Sequence, residues 1–204
     1  MNESLKRLIV FDTETSGVFP KLCQILTLDA IAVECGQSGW QQVGKPFHGQ
    51  IEIMPDMRID AEALRVNGID RQFWQGEREG IVLRAFCQWA KDNCQSTYNL
   101  GVGYNVRFDI DFLRAAFARH PALKYTNALS YTGLDLMQVV LMNVVTGAMQ
   151  PPENLKLTTV CEALGIDTSD AHNSAADVRM TFDLLKAVYA LSGGGQQSEL
   201  FPDD

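Results

Sequence analysis

The run Leu8-Ile9-Val10-Phe11-Asp12-Thr13-Glu14 constrains this chain more than any other stretch. Four consecutive apolar residues followed by acids read as a buried strand that reaches the edge of a core. Side chains two apart in an extended chain leave the same face, so Asp12 and Glu14 project side by side. Two like charges beside a core are unfavourable unless neutralised, and a divalent cation with oxygen ligands neutralises both. The same residues also suit a plain strand that runs out into the polar turn Thr15-Ser16-Gly17 with both acids in water. The rest of the chain has to decide between the two.

Composition narrows the field. The chain of 204 residues is one domain, with or without short appendages, and is large enough to bury a substantial core. No apolar stretch approaches the roughly 18 residues of a membrane span, and Met1 to Arg7 has no signal-peptide pattern, so a cytoplasmic protein is expected. Cys23, Cys35, Cys87, Cys94 and Cys161 include no C-x-x-C pair and read as reduced, mostly core thiols. The formal net charge of -8 argues against non-specific binding to a phosphate backbone through Lys and Arg. It leaves room for nucleic acid met by metal ions.

Along the chain, Gln24 to Val33 reads as a second, largely buried strand, Gly36 to Gly39 as a turn, and Gln42 to Met54 as holding a third strand. Their closeness in sequence suggests an antiparallel meander. Asp60 to Gly68 reads as a short helix with Asp60 as its N-cap and Gly68 as its stop. Ile81 to Asn93 carries Val82, Phe86, Trp89 and Ala90 at helical spacing. Tyr98 to Tyr104 reads as a strand whose glycines permit close approach, and it delivers the chain to Asn105. Further helices are predicted over Phe108 to Arg119, Leu136 to Val145, Thr158 to Leu164 and Ser174 to Leu191. Strands first, then helices with another strand among them, imply an α/β domain with a mixed, helix-covered sheet over residues 1–191. Residues 192–204 read as a glycine-rich flexible linker and tail.

Asp12 and Glu14 at a strand end, Asp109 at a helix start, and Asp177 at a helix start near His172 suit metal-assisted phosphodiester chemistry. Two Mg2+ ions clamp a scissile phosphate, activate a water and stabilise the departing oxygen, and a histidine of near-neutral pKa takes the proton. Taken singly, Asp109 and Asp177 also suit ordinary first-turn helix acids.

The blocks Phe11-Asp12-Thr13-Glu14-Thr15-Ser16-Gly17, Gly103-Tyr104-Asn105-Val106-Arg107-Phe108-Asp109 and His172-Asn173-Ser174-Ala175-Ala176-Asp177 resemble, in order and spacing, the three motifs of DnaQ-like 3'-5' exonucleases of the DEDDh group. The resemblance implies metal ligation by Asp12, Glu14, Asp109 and Asp177, with two Mg2+ or substituting Mn2+, and a general-base role for His172. It implies contacts near the terminal nucleotide from Thr13, Thr15 and Asn67, and a supporting role for Asn105. It also implies a ribonuclease-H-like fold with a mixed five-stranded sheet flanked by helices, the fifth strand near Leu129 to Leu134. The segment from Glu62 to Ile69 is similar to ribonuclease T and proofreading subunits, whereas the second and third blocks look more like exonuclease I. Asn67 stands where proofreading enzymes often have histidine, and Thr27 or Leu28 where they usually have glutamate.

A single-stranded 3' end is the expected substrate, because a paired nucleotide would first have to fray. DNA in replication or repair is favoured, and RNA 3'-end trimming is the alternative. Arg107, Arg114, Arg119 and Lys124 either guide the strand or form a solvated helix face. In the tail, Gln197-Ser198-Glu199-Leu200-Phe201 resembles peptides that bind the bacterial sliding clamp, with Gln197, Leu200 and Phe201 as contacts. A non-catalytic clamp adaptor is the reading from a different class. No long C-terminal region of the polymerase-holding kind is seen, so a free-standing enzyme is expected.

Overall fold

The computed structural model describes residues 7–94, 99–169 and 174–192. The first three strands are β1 (Arg7–Thr15), β2 (Ile25–Gly36) and β3 (Gly39–Gln50), paired antiparallel as a meander. Two three-residue strands, β4 (Gly101–Gly103) and β5 (Gly133–Asp135), extend the sheet in parallel on the other side of β1. The strand order is β3-β2-β1-β4-β5, so the opening strand of the chain is the centre of the sheet. The expected mixed five-stranded sheet is therefore present, with β5 at the far end of the stretch predicted for it.

The helices are α1 (Ala61–Val66), α2 (Glu79–Asn93), α3 (Arg107–Arg119), α4 (Leu136–Val145), α5 (Leu157–Ala163) and α6 (Ser174–Leu191). The bounds of α4 and α6 coincide with those predicted. At α1, Asp60 occupies the N-cap position without a capping bond. Its carboxylate instead accepts from Arg58 Nε at 2.6 Å, because a charged partner outcompetes a backbone amide.

Period-two alternation in β1 splits the core in two. Ile9 and Phe11 pack into the layer holding Phe86 of α2 and Phe112 of α3. Leu8 and Val10 pack into the layer holding Val140 of α4 and Leu184 of α6. Each such buried side chain contributes about 1.5–3 kcal/mol. A Cβ on Gly101 would lie 2.7 Å from the Phe11 ring, and one on Gly103 would lie 2.8 Å from Val106 Cγ2. The glycines thus let α3 and the Phe11 ring close onto β4. All five cysteines are free thiols, four of them buried. Among the described residues no helix is long and apolar enough to cross a membrane.

Candidate active site

The alternation that buries Leu8 and Val10 under α4 and α6 carries Asp12 and Glu14 out on that same face, where the first turn of α6 presents Asp177. One carboxylate oxygen from each of Asp12, Glu14 and Asp177 lies within 4.8 Å of the others. A register shift between Glu14 and Thr15 ends the regular ladder there.

The electrostatics are those of crowded acids. Burial, then the charges of Asp109, Asp177, Glu14 and Asp29, push the Asp12 carboxyl well above the usual carboxylate range. Glu14 is raised from its ordinary 4.5 to about 7 by burial first, then by Asp177, Asp109 and Asp29. An all-oxygen set of mutually repelling carboxylates fits a hard divalent cation, whose charge would remove the repulsion.

Asp109 belongs to the opposite face of β1 and lies outside the three-oxygen set. It is buried in the first turn of α3, and its Oδ1 accepts from both the Thr13 hydroxyl (2.6 Å) and the Thr13 amide (3.1 Å). Burial raises its pKa to about 7 against the opposing pull of those two bonds. Asp109 is thus tethered to the residue between Asp12 and Glu14. Thr13 is buried with its hydroxyl directed at Asp109.

The other predicted residues surround this strand end. The Thr15 hydroxyl donates to the Gly17 carbonyl at 2.7 Å, and Asn67 Nδ2 donates to the Thr15 carbonyl at 3.1 Å, fastening the end of α1 to the strand. Asn105 is exposed at φ +56°, a left-handed conformation that asparagine tolerates better than most residues. Its amide donates to Asp135 Oδ1 at 2.9 Å, and the same oxygen caps α4 at Met137. His172 and the tail residues Gln197, Leu200 and Phe201 lie outside the described residues.

The ribonuclease T-type exonuclease family model matches residues 9–185, a span that takes in all three acidic blocks. The chain belongs to this exonuclease family. It is a DnaQ-like 3'-5' exonuclease. Similar relatives include ribonuclease T of Baumannia cicadellinicola, 29% identical over 192 residues, covering 87% of this chain and 80% of that protein. Ribonuclease T of Haemophilus ducreyi is 26% identical, covering 88% and 83%. Among solved structures, E. coli exonuclease I in complex with a dA16 oligonucleotide superposes with a TM-score of 0.76 at 24% identity, over 92% of this chain and 41% of that one. The chain therefore spans about two-fifths of the exonuclease I chain and shares the fold of that part.

Two features of this exonuclease lay beyond the sequence reading. Asp29 of β2 sits directly opposite Asp12 in the sheet register and is buried, with Ser174 of α6 and His48 of β3 as partners. Its only signal was an acid inside an otherwise largely apolar run. Of the four cations that either guide the strand or form a solvated helix face, Arg119 is committed to the buried Glu79 by a bidentate pair at 2.9 and 2.6 Å. Arg107 pairs with Asp111 at 2.9 Å. Arg114 is committed as well, donating to the Tyr131 carbonyl and lying 3.7 Å from Asp111, and Lys124 is exposed. Arg114 and Arg119 line a groove of about 1010 Å³ between α3 and the loop after β1. That loop exposes Val18, Phe19 and Leu22, and Arg58 lies 5.8 Å over the Phe19 ring.

Proposed function

We propose that this exonuclease removes nucleotides from the 3' ends of single-stranded DNA, in replication or repair, with two Mg2+ ions that Mn2+ can replace. The observation that carries the reading is the convergence of Asp12, Glu14 and Asp177 oxygens within 4.8 Å at the end of the central strand, where burial and mutual repulsion raise Asp12 and Glu14. Asp109, tethered through Thr13, completes the ligand set from the other face of the strand.

When bound, the ions supply Lewis-acid polarisation of the scissile phosphate and charge stabilisation for the departing oxygen. The chain does the rest. Asp12 and Glu14 form the rigid part of the site, because a central strand holds them. Asp177 arrives on α6 and Asp109 on α3. An imidazole nitrogen of His172 takes a proton from the attacking water as the water oxygen bonds to phosphorus, the bond between phosphorus and the 3' oxygen of the penultimate nucleotide breaks, and that oxygen takes a proton from solvent. Thr13, Thr15, Asn67 and Asn105 hold the strand end and the loops around the terminal nucleotide.

A single strand suits the exposed apolar loop at Val18, Phe19 and Leu22, on which unpaired bases can stack. DNA is supported by the exonuclease I structures of the same fold, which hold DNA oligonucleotides. The second reading, RNA trimming, is supported by relatives named ribonuclease T. Equal-sequence 5'-labelled DNA and RNA strands, digested in Mg2+ in competition, decide it: DNA shortens first on the leading reading, and RNA first on the other. Residues 1–191 carry this activity, and Gln197, Leu200 and Phe201 in residues 192–204 bind a sliding clamp. Replacing both Leu200 and Phe201 by alanine abolishes co-elution with the clamp and leaves free-strand digestion intact; unchanged co-elution refutes the clamp contact.

A further inference from the structure

A directional row of hydrogen bonds runs beside the carboxylates. The Ser174 hydroxyl donates to Asp29 Oδ2, so its single proton is committed, and the Thr27 hydroxyl, 2.8 Å away, must donate to the Ser174 oxygen. The other Asp29 oxygen is hydrogen-bonded to His48 Nδ1 at 2.9 Å. Thr27, Ser174 and Asp29 are buried, whereas His48 is half exposed and closes the row at the solvent edge.

The placement of this row is specific to the acidic site. In the sheet register Asp29 is opposite Asp12 and Thr27 is opposite Glu14, so each stands one strand away from a site carboxylate on the same face. Ser174 is the first residue of α6 and lies three positions before Asp177, on the same side of the helix and about one turn away. As a fastening for a helix alone the row is a poor solution. A buried acid opposite a second, partly buried acid is unfavourable, and apolar side chains would dock α6 without that penalty. What apolar packing cannot do is fix a helix start in register and rotation, which a chain of short directional bonds does.

We infer that the row Thr27–Ser174–Asp29–His48 is a positioning device for divalent-metal binding: it locks the start of α6 to β2 and so sets Asp177 against Asp12 and Glu14. These are positioning residues that act through Asp177. The inference rests on the metal centre proposed above. Outer partners that orient metal ligands typically change metal affinity 10–100-fold when removed.

The test is direct binding of Mn2+ to the full chain, followed by electron paramagnetic resonance of the free ion, for wild type, Asp12→Ala, Ser174→Ala, Thr27→Val and the double variant Ser174→Ala/Thr27→Val. Circular dichroism and melting in chelator report folding separately. The expected result is Mn2+ binding by wild type that Asp12→Ala loses, and binding weakened about tenfold in Ser174→Ala and severalfold in Thr27→Val. The double variant binds no more weakly than Ser174→Ala, because both act through one row. Wild-type affinity in folded Ser174→Ala and Thr27→Val overturns the inference while leaving the metal centre standing. Should Ser174→Ala not fold, wild-type affinity in Thr27→Val alone overturns it. Absence of Mn2+ binding by wild type overturns the metal reading itself and the inference with it.

Discussion

A site built from repelling acids should weaken the metal-free fold, and Glu14→Gln measures by how much. The Glu14 carboxyl ionises near 4.5 ordinarily and at about 7 in the folded chain, chiefly through burial and then through Asp177, Asp109 and Asp29. Because the folded state holds that proton more tightly than the unfolded state, the penalty is absent below about pH 4.5 and complete above about pH 7. At about 1.4 kcal/mol per tenfold change in proton affinity, full ionisation removes about 3 kcal/mol of folding free energy. At about 2–4 °C per kcal/mol for a chain of this size, that is about 6–12 °C in melting temperature. Glutamine keeps the shape and never ionises. Thermal melts in chelator should therefore show Glu14→Gln melting above wild type at pH 8, with the gap closing to within about 1 kcal/mol at pH 5. Saturating Mg2+ should reverse the order, since wild type gains stability by binding the ion and the variant has lost a ligand. A Glu14→Gln protein that melts at or below wild type at pH 8 in chelator would show that Glu14 is not under electrostatic strain and would refute the reasoning.

Two other perturbations follow from particular contacts. Thr13→Val removes the 2.6 Å hydroxyl donor to Asp109 while leaving the amide bond, so the Asp109 carboxyl rises further and the acid limb of the pH–rate profile moves to higher pH by about half a unit to one unit; an unmoved limb contradicts the tether. Glu79→Gln leaves Arg119 and His120 without their shared buried carboxylate, so urea titration should show about 2 kcal/mol of lost stability with specific activity of the folded enzyme retained.

The sequence carried local periodicity well and tertiary pairing poorly. Asp12 and Glu14 were placed correctly because the two-residue repeat of a strand decides their common face. The bounds of α4 and α6 were legible because α4 is a nearly unbroken apolar run that stops short of Gly147 and an apolar stripe of helical period spans α6. Asp109 was read correctly as a first-turn helix acid, but its station on the far face of β1, held by Thr13, depends on how α3 crosses the sheet. Asp29 and His48 were passed over because only the register of three strands reveals that they and Asp12 form one row. Arg119 looked like a free cation on a helix until α2 brought Glu79 beside it. β5, three residues long, is too short to give a periodic signal and owes its existence to pairing with β4.

The central claim, that the strand-end carboxylates hold metal for hydrolysis from a 3' end, is tested most directly by digesting a 5'-labelled single-stranded DNA with wild type and Asp12→Ala, in Mg2+ and in chelator. The account predicts a ladder of 5'-labelled products shortening one nucleotide at a time with wild type in Mg2+, and an intact strand in the other three reactions. Immediate release of short labelled fragments, or the same ladder from Asp12→Ala or in chelator, would contradict it.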